Sequence, residues 1–268
     1  MPSKVAKHDE PSTCLSSDRR AWLLQAGALA LAGCGGGGST ATPGVAQVCL
    51  STLVPAYFYK AAPWAELAAT RQSAVVIANV SNGPGSKPDA QYLGWINQVR
   101  AAGHRVKGYV YTGYGQRPMA EVLADMQTWT QLYGVDDFFI DEASATSGDV
   151  PYYRSLLVSA SAARAGRRFM LNPGMAPDLA YFGLAPGIDI LVFENPWSSY
   201  TSARLPATLD AFASQCWIMA LSASEADMRQ AAAVARSRGF AGFFATDLAF
   251  TSGLPSYWAQ EKSLAVCG

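Results

Sequence analysis

Eight short apolar runs recur along the chain at intervals of roughly 25–35 residues, and amphipathic stretches fill the gaps between them. The runs cover residues 50–59, 73–80, 105–112, 136–142, 167–172, 189–194, 216–222 and 242–247. Helical patterns lie at 90–102, 119–133, 152–165 and 225–238, with a last one near 257–265. Gly103, Gly134, Gly166 and Gly239 stand where helix C-caps belong. Runs such as Ala74-Val75-Val76-Ile77 are continuously apolar, as parallel strands covered on both faces must be. Eight strand-helix units predict an α/β chain of (β/α)8, TIM-barrel, architecture. An open doubly wound sheet would carry a Gly-rich nucleotide loop after its first strand, and Tyr57-Phe58-Tyr59-Lys60 is no such loop.

A barrel gathers the residues just past each strand at one mouth. In two of these runs the apolar stretch passes directly into a carboxylate: Phe138-Phe139-Ile140 into Asp141-Glu142, and Ile190-Leu191-Val192-Phe193 into Glu194. An unpaired buried charge is costly, so packing alone does not account for them. Neighbouring residues of a strand point to opposite faces, so either Asp141 or Glu142 can pair with Glu194, and the other can turn inward where the strand ends. Paired carboxyl groups suit acid/base work on a glycosidic bond. Around them the predicted strand ends bring Tyr57, Tyr59, Asn79, Tyr109, Tyr111, Tyr114, Asn172, Trp197 and Asp247. Aromatic faces stack on sugar rings, and amides and carboxylates match sugar hydroxyls. These nine are the candidate substrate-binding residues, although Asn79 and Asn172 equally suit turns and Asp247 equally suits a loop cap.

Of the 268 residues, 15% are charged and the net charge is zero, with no basic face, so nucleic acid is excluded as a partner. Two histidines and scattered cysteines match no metal-ligand spacing, so neither a metal nor another cofactor is expected. That also disfavours a metal-dependent deacetylase and a histidine-based triad. His104, in Ala-Gly-His-Arg, is expected to be a solvated turn residue.

Residues 1–33 read as an export signal: Arg19-Arg20 precede an apolar stretch too short to span a bilayer. The stretch ends in Leu31-Ala32-Gly33-Cys34, which resembles the lipobox of bacterial lipoproteins and implies lipidation of Cys34. The twin arginine resembles a Tat signal, with Asp18 where that pattern prefers Ser or Thr. Residues 34–47 read as a glycine-rich tether and 48–268 as the barrel. The expected product is an exported monomer, lipid-anchored to the cell envelope or extracellular, and the absence of Asp after Cys34 resembles outer-membrane sorting. Cys49 opens the domain and Cys267 nearly closes it, so a disulfide between them is expected in an oxidising compartment.

An ordered series of segments resembles the spherulin-4-like glycoside hydrolases. It runs from Val54-Pro55-Ala56-Tyr57-Phe58-Tyr59 through Ile77-Ala78-Asn79-Val80-Ser81-Asn82-Gly83-Pro84-Gly85 and Gly108-Tyr109-Val110-Tyr111-Thr112-Gly113-Tyr114 to Phe138-Phe139-Ile140-Asp141-Glu142. It continues through Tyr152-Tyr153, Leu171-Asn172-Pro173-Gly174, Phe193-Glu194 and Thr246-Asp247. The resemblance implies a (β/α)8 barrel, endo-cleavage of α-1,4-linked N-acetylgalactosamine in an exopolysaccharide, and Asp141, Glu142 and Glu194 as active-site carboxylates. Val80 departs from the Asn-Pro-Ser or Asn-Pro-Asn that precedes the Gly-Pro-Gly turn in family members, which bears on substrate specificity. The expected roles are Asp141 as nucleophile or charge stabiliser, Glu194 as general acid/base and Glu142 as a supporting carboxylate. A different class, a non-catalytic carbohydrate-binding lipoprotein on a degenerate barrel, would need the tyrosines but not the acids.

Overall fold

The computed structural model describes residues 50–203 and 205–265. The expected signal, tether, lipidated Cys34 and the Cys49–Cys267 disulfide lie outside the described residues, in whole or in part. The apolar runs form eight parallel strands: β1 (Ser51–Ala56), β2 (Ala74–Ala78), β3 (Arg105–Tyr111), β4 (Asp137–Asp141), β5 (Phe169–Leu171), β6 (Asp189–Pro196), β7 (Cys216–Leu221) and β8 (Gly242–Ala245). They pair in chain order, and β1 pairs with both β2 and β8, so the barrel is closed. Every side chain of β2 is buried, because both faces of the strand are covered.

Helices α1 (Ala61–Ala68), α2 (Ala90–Ala101), α3 (Met119–Tyr133) and α4 (Val150–Ala163) follow the first four strands. Of the later helices, α5 is the four-residue Tyr200–Ala203, α6 spans Glu225–Ser237 after β7, and α7 spans Trp258–Leu264 after β8. Local chemistry sets several of their ends. The Asp89 carboxylate accepts the Gln91 and Tyr92 amides at the start of α2, and Ser224 with Asp227 forms a capping box on α6. Gly134 closes α3 at φ 61°, a left-handed conformation in which a Cβ would be strained. Gly108 is required for contact: a Cβ there would lie 2.7 Å from the Trp129 ring, so α3 packs directly on β3. The Trp129 indole donates to the Tyr109 carbonyl at 2.8 Å and fixes that contact.

Two units depart from the regular alternation. After β5 the connection is a 3-10 turn at Leu179–Gly183, and after β6 it is 3-10 turns flanking α5. Among the described residues no full α-helix covers the barrel there. His104 also departs from expectation. It is buried, its Nε2 donates to the Leu67 carbonyl at 2.8 Å and its Nδ1 accepts the Ala74 amide at 3.1 Å. Burial lowers its pKa and the two bonds suit the neutral ring, so it staples α1 to β2. Cys216 is a buried free thiol whose pKa burial pushes up to about 12, so it is an inert packing group.

Candidate active site

The ladder register decides which side chains face the barrel interior. Tyr109, Phe139, Met170 and Asp189 lie opposite one another along β3 to β6, and Asp141 follows Phe139 by two residues on the same face. On β6, Leu191 pairs with Trp217 while Phe193, not Val192, pairs with Ile218. Val192 is therefore the extra residue of a β-bulge, and it re-aims everything after it. Without the bulge, strict alternation from Asp189 would turn Glu194 outward. With it, Glu194 faces inward beside Met219.

At the mouth, Asp141 of β4 and Glu194 of β6 share one partner. The Asn172 Nδ2 donates to Asp141 Oδ1 at 2.7 Å and also to Glu194 Oε2. An amide –NH2 sends its hydrogens out about 120° apart, which holds two acceptors roughly 5 Å from each other. The second Asp141 oxygen accepts the Tyr109 hydroxyl at 2.8 Å. Burial and the nearby Asp141 carboxylate push the Glu194 pKa up to about 7, against the opposing hydrogen bond from Asn172. Tyr57 packs edge-on against Tyr109, and its hydroxyl is held neutral by burial together with Asp141 and Glu194. Among the described residues, none of the three carboxylates is in an ion pair, and no cluster is placed to hold a metal.

Glu142 reaches the same cleft by backbone strain. It follows the last residue of β4 at φ 48°, in the left-handed region that costs a non-glycine residue about 1–2 kcal/mol. A relay holds that turn: the Ser144 amide donates to the Tyr153 hydroxyl, which meets the Thr112 hydroxyl, which donates to the Glu142 carbonyl at 2.8 Å. The Tyr114 amide donates to the same carbonyl at 2.6 Å. Among the described residues the other non-glycine residues at positive φ are Asn82, Tyr114 and Ser222, all on strand-to-helix connections at the mouth. Thr112 and Tyr153 act here as supports, a role that their burial as polar strand-end and helix residues signals only in the folded structure.

A cleft of about 960 Å³ opens over these groups, lined by Tyr114, Asp141, Glu142, Asn172 and Glu194. It extends between the connections after β5 and β6, past Met175, Ser199, Ser202 and Pro206, where the full helices are missing. Five expected contacts fall elsewhere. Strand β1 ends at Ala56, so Tyr59 lies outside the cleft with its hydroxyl on Asp89 at 3.2 Å and its ring against Trp95. Trp197 is buried, stacks on Tyr200 and directs its indole to Gln230. Asp247 caps its loop by accepting the Ser256 amide and hydroxyl. Asn79 Oδ1 accepts the Gly83 amide at 2.9 Å and so organises a turn. Tyr111 is half-buried beneath the Arg117 guanidinium, 4.3 Å from its ring centre.

The sequence model of spherulation-specific family 4 matches residues 51–265, which is the whole barrel. The chain belongs to that family. Spherulin-4 of Physarum polycephalum is 36% identical over 155 residues, which is 56% of this chain but 46% of that protein. The chain therefore spans about half the length of this relative. Among solved structures, Aspergillus clavatus Sph3, crystallised with GalNAc, superposes with a TM-score of 0.68 at 23% identity, covering 81% of this chain and 97% of Sph3. The Bacillus cereus spore cortex-lytic enzyme SleL superposes with a TM-score of 0.52 at 8% identity, covering 82% and 74%. At these identities the superpositions establish the shared barrel.

Proposed function

We propose that this family member is a retaining glycoside hydrolase that cleaves within a polysaccharide containing N-acetylgalactosamine. One observation carries the reading: carboxylates from two strands share a single amide at the floor of the 960 Å³ cleft. The amide geometry holds the two oxygens that share it roughly 5 Å apart, which fits the about 5–5.5 Å of double displacement better than the roughly 6.5–9.5 Å of an inverting site. The GalNAc in the Sph3 crystal supports the choice of sugar.

Glu194 carries the proton. As the C1–O bond breaks, it protonates the departing glycosidic oxygen while an Asp141 oxygen bonds to C1, giving a glycosyl ester. The ester removes the Asp141 charge, so Glu194 becomes the stronger acid and is left as the carboxylate that activates water. Water bonds to C1, its proton passes to Glu194, and the C1–Asp141 bond breaks, restoring both groups. Glu142 lines the same cleft and supplies acceptors for a sugar hydroxyl. Residues 1–33 support an exported enzyme held at the membrane by lipid on Cys34, in which case Cys34→Ser shifts it to the soluble fraction.

The test is incubation of residues 45–268 with amino-sugar polymers. New reducing ends should accumulate within the polymer, and proton NMR should show the product anomer matching the substrate linkage. Binding without new reducing ends would point instead to a carbohydrate-binding protein, and the opposite anomer would overturn the assignment of Asp141 as nucleophile.

A further inference from the structure

Asn172 sits in the turn Asn172-Pro173-Gly174 after β5, and each residue of that turn constrains its side chain. Proline keeps the residue before it extended. Gly174, at φ 68°, folds back so that its amide donates to Asn172 Oδ1 at 3.0 Å. That bond settles which end of the amide faces the carboxylates. With Oδ1 already accepting, the –NH2 must point at Asp141 and Glu194, since the flipped amide would set an oxygen against two acceptors. The same turn holds Glu194 by its backbone: the Gly174 carbonyl accepts the Glu194 amide at 3.1 Å and the Asn195 side chain at 3.0 Å. Asn172 itself is 5% exposed, so its orientation is fixed before any ligand arrives.

The choice of a neutral donor matters. A lysine or arginine at this point would favour two ionised carboxylates, and the glycosidic oxygen would have no proton donor. The groups facing the pair are Tyr57 of the β1 end, Tyr109 of β3 and Glu142 after β4, none of them cationic. Asp141 keeps a second donor in Tyr109, whereas Asn172 is the one side-chain donor to Glu194 among the described residues.

We infer that Asn172 is a positioning residue: its amide fixes the Asp141–Glu194 separation and stabilises the Glu194 carboxylate during activation of water. It acts through Glu194, and the inference rests on the hydrolase reading. Loss of the amide should therefore lower kcat and leave polymer affinity in place.

The experiment compares wild type with Asn172→Ala and Asn172→Asp. The aspartate keeps the acceptor for Gly174 and the side-chain size but removes the donors, so it remains informative if the alanine variant fails to fold. Measurements are kcat and KM on the cleaved polymer, and the Glu194 carboxyl titration by NMR with 13C-labelled glutamate, assigned through Glu194→Gln. The expected result is a 10- to 100-fold lower kcat with KM within twofold. The Glu194 midpoint should rise by roughly one pH unit in the alanine variant and further in the aspartate variant. A higher KM with kcat and midpoint unchanged would make Asn172 a substrate contact and overturn the inference. A lower melting temperature with an unmoved midpoint would overturn it as well, in favour of a purely structural role. Wild type that cleaves no glycan would refute the hydrolase reading, and the titration would still decide whether Asn172 stabilises the Glu194 charge.

Discussion

Asp189 and Glu194 lie on one strand and face one barrel interior, yet the two ends of that interior handle charge in opposite ways. At the closed end, Asp189 accepts the Trp217 indole at 3.0 Å and lies near Lys107, which is 2% exposed. Burial lowers the Lys107 pKa to about 8, while Asp189 and Asp137 act to raise it, so the two signs offset each other's desolvation. At the open end the neighbours share a sign. Asp141 adds to burial at Glu194 instead of opposing it, and the pKa climbs to about 7. Desolvation answered by an opposite charge gives a structural cluster, and desolvation reinforced by a like charge gives a group that holds a proton near neutral pH.

The largest effects should separate the two ends cleanly. Glu194→Gln or Asp141→Asn should lower kcat by about 10²- to 10⁴-fold, with circular dichroism and melting temperature near wild type. Lys107→Ala should do the reverse, destabilising the barrel by about 2–4 kcal/mol in urea titrations because it removes the foremost of the positive charges on half-buried Asp189 and leaves only Arg105 and Arg168. Turnover per folded molecule should stay within twofold. A Lys107→Ala enzyme that is stable but inactive would erase the distinction between the ends.

The barrel itself was legible because its strands are short apolar runs separated by helical patterns. The helix expected at 119–133 forms over Met119–Tyr133, and Asp141 and Glu194 do end their runs. What the sequence hides is the bulge. Ile190-Leu191-Val192-Phe193 is apolar whether or not Val192 is an extra residue, since a strand covered on both faces has no alternation to break. The inward aim of Glu194 thus appears only in the ladder. The partition of Asp141 and Glu142 was hidden for a related reason: it depends on a left-handed turn held by Thr112, Tyr114 and Tyr153, which are distant in sequence. Tyr59 falls outside the cleft because β1 ends three residues earlier than its apolar run.

A smaller effect sharpens the comparison through pH. Glu194 is protonated in both the folded and unfolded chains well below its ordinary pKa of 4.5. Between there and about 7 the folded state binds more protons, so stability is lost as pH rises through that window. Against Glu194→Gln, wild type should lose about 2–3 kcal/mol between pH 4 and pH 8, after discounting for its partial exposure. Lys107 works in the other direction. Its folded pKa is lowered, so stability rises with pH between about 8 and 10.5. The same protonated Glu194 is the acid of the reaction, so kcat/KM should fall above about pH 7. A flat stability difference across pH 4–8 would remove the like-charge account of the mouth.

The smallest expected effect separates two exposed tyrosines within the mouth. Tyr114 is 60% exposed on the wall of the cleft, in a strained backbone conformation, and its amide binds the Glu142 carbonyl. Tyr59 is 54% exposed but does not line the cleft, and its hydroxyl is already bound to Asp89. Exposure alone would rank them as equal sugar platforms. Position does not, because stacking contributes only where a ring faces the bound sugar. Tyr114→Ala should raise KM several-fold, equivalent to about 1 kcal/mol of lost stacking, with kcat little changed. Tyr59→Ala should leave both constants within twofold and show its cost, if any, in melting temperature. Equal KM increases for the two variants would mean that the glycan crosses the β1 side of the mouth as well, beyond the cleft between the connections after β5 and β6.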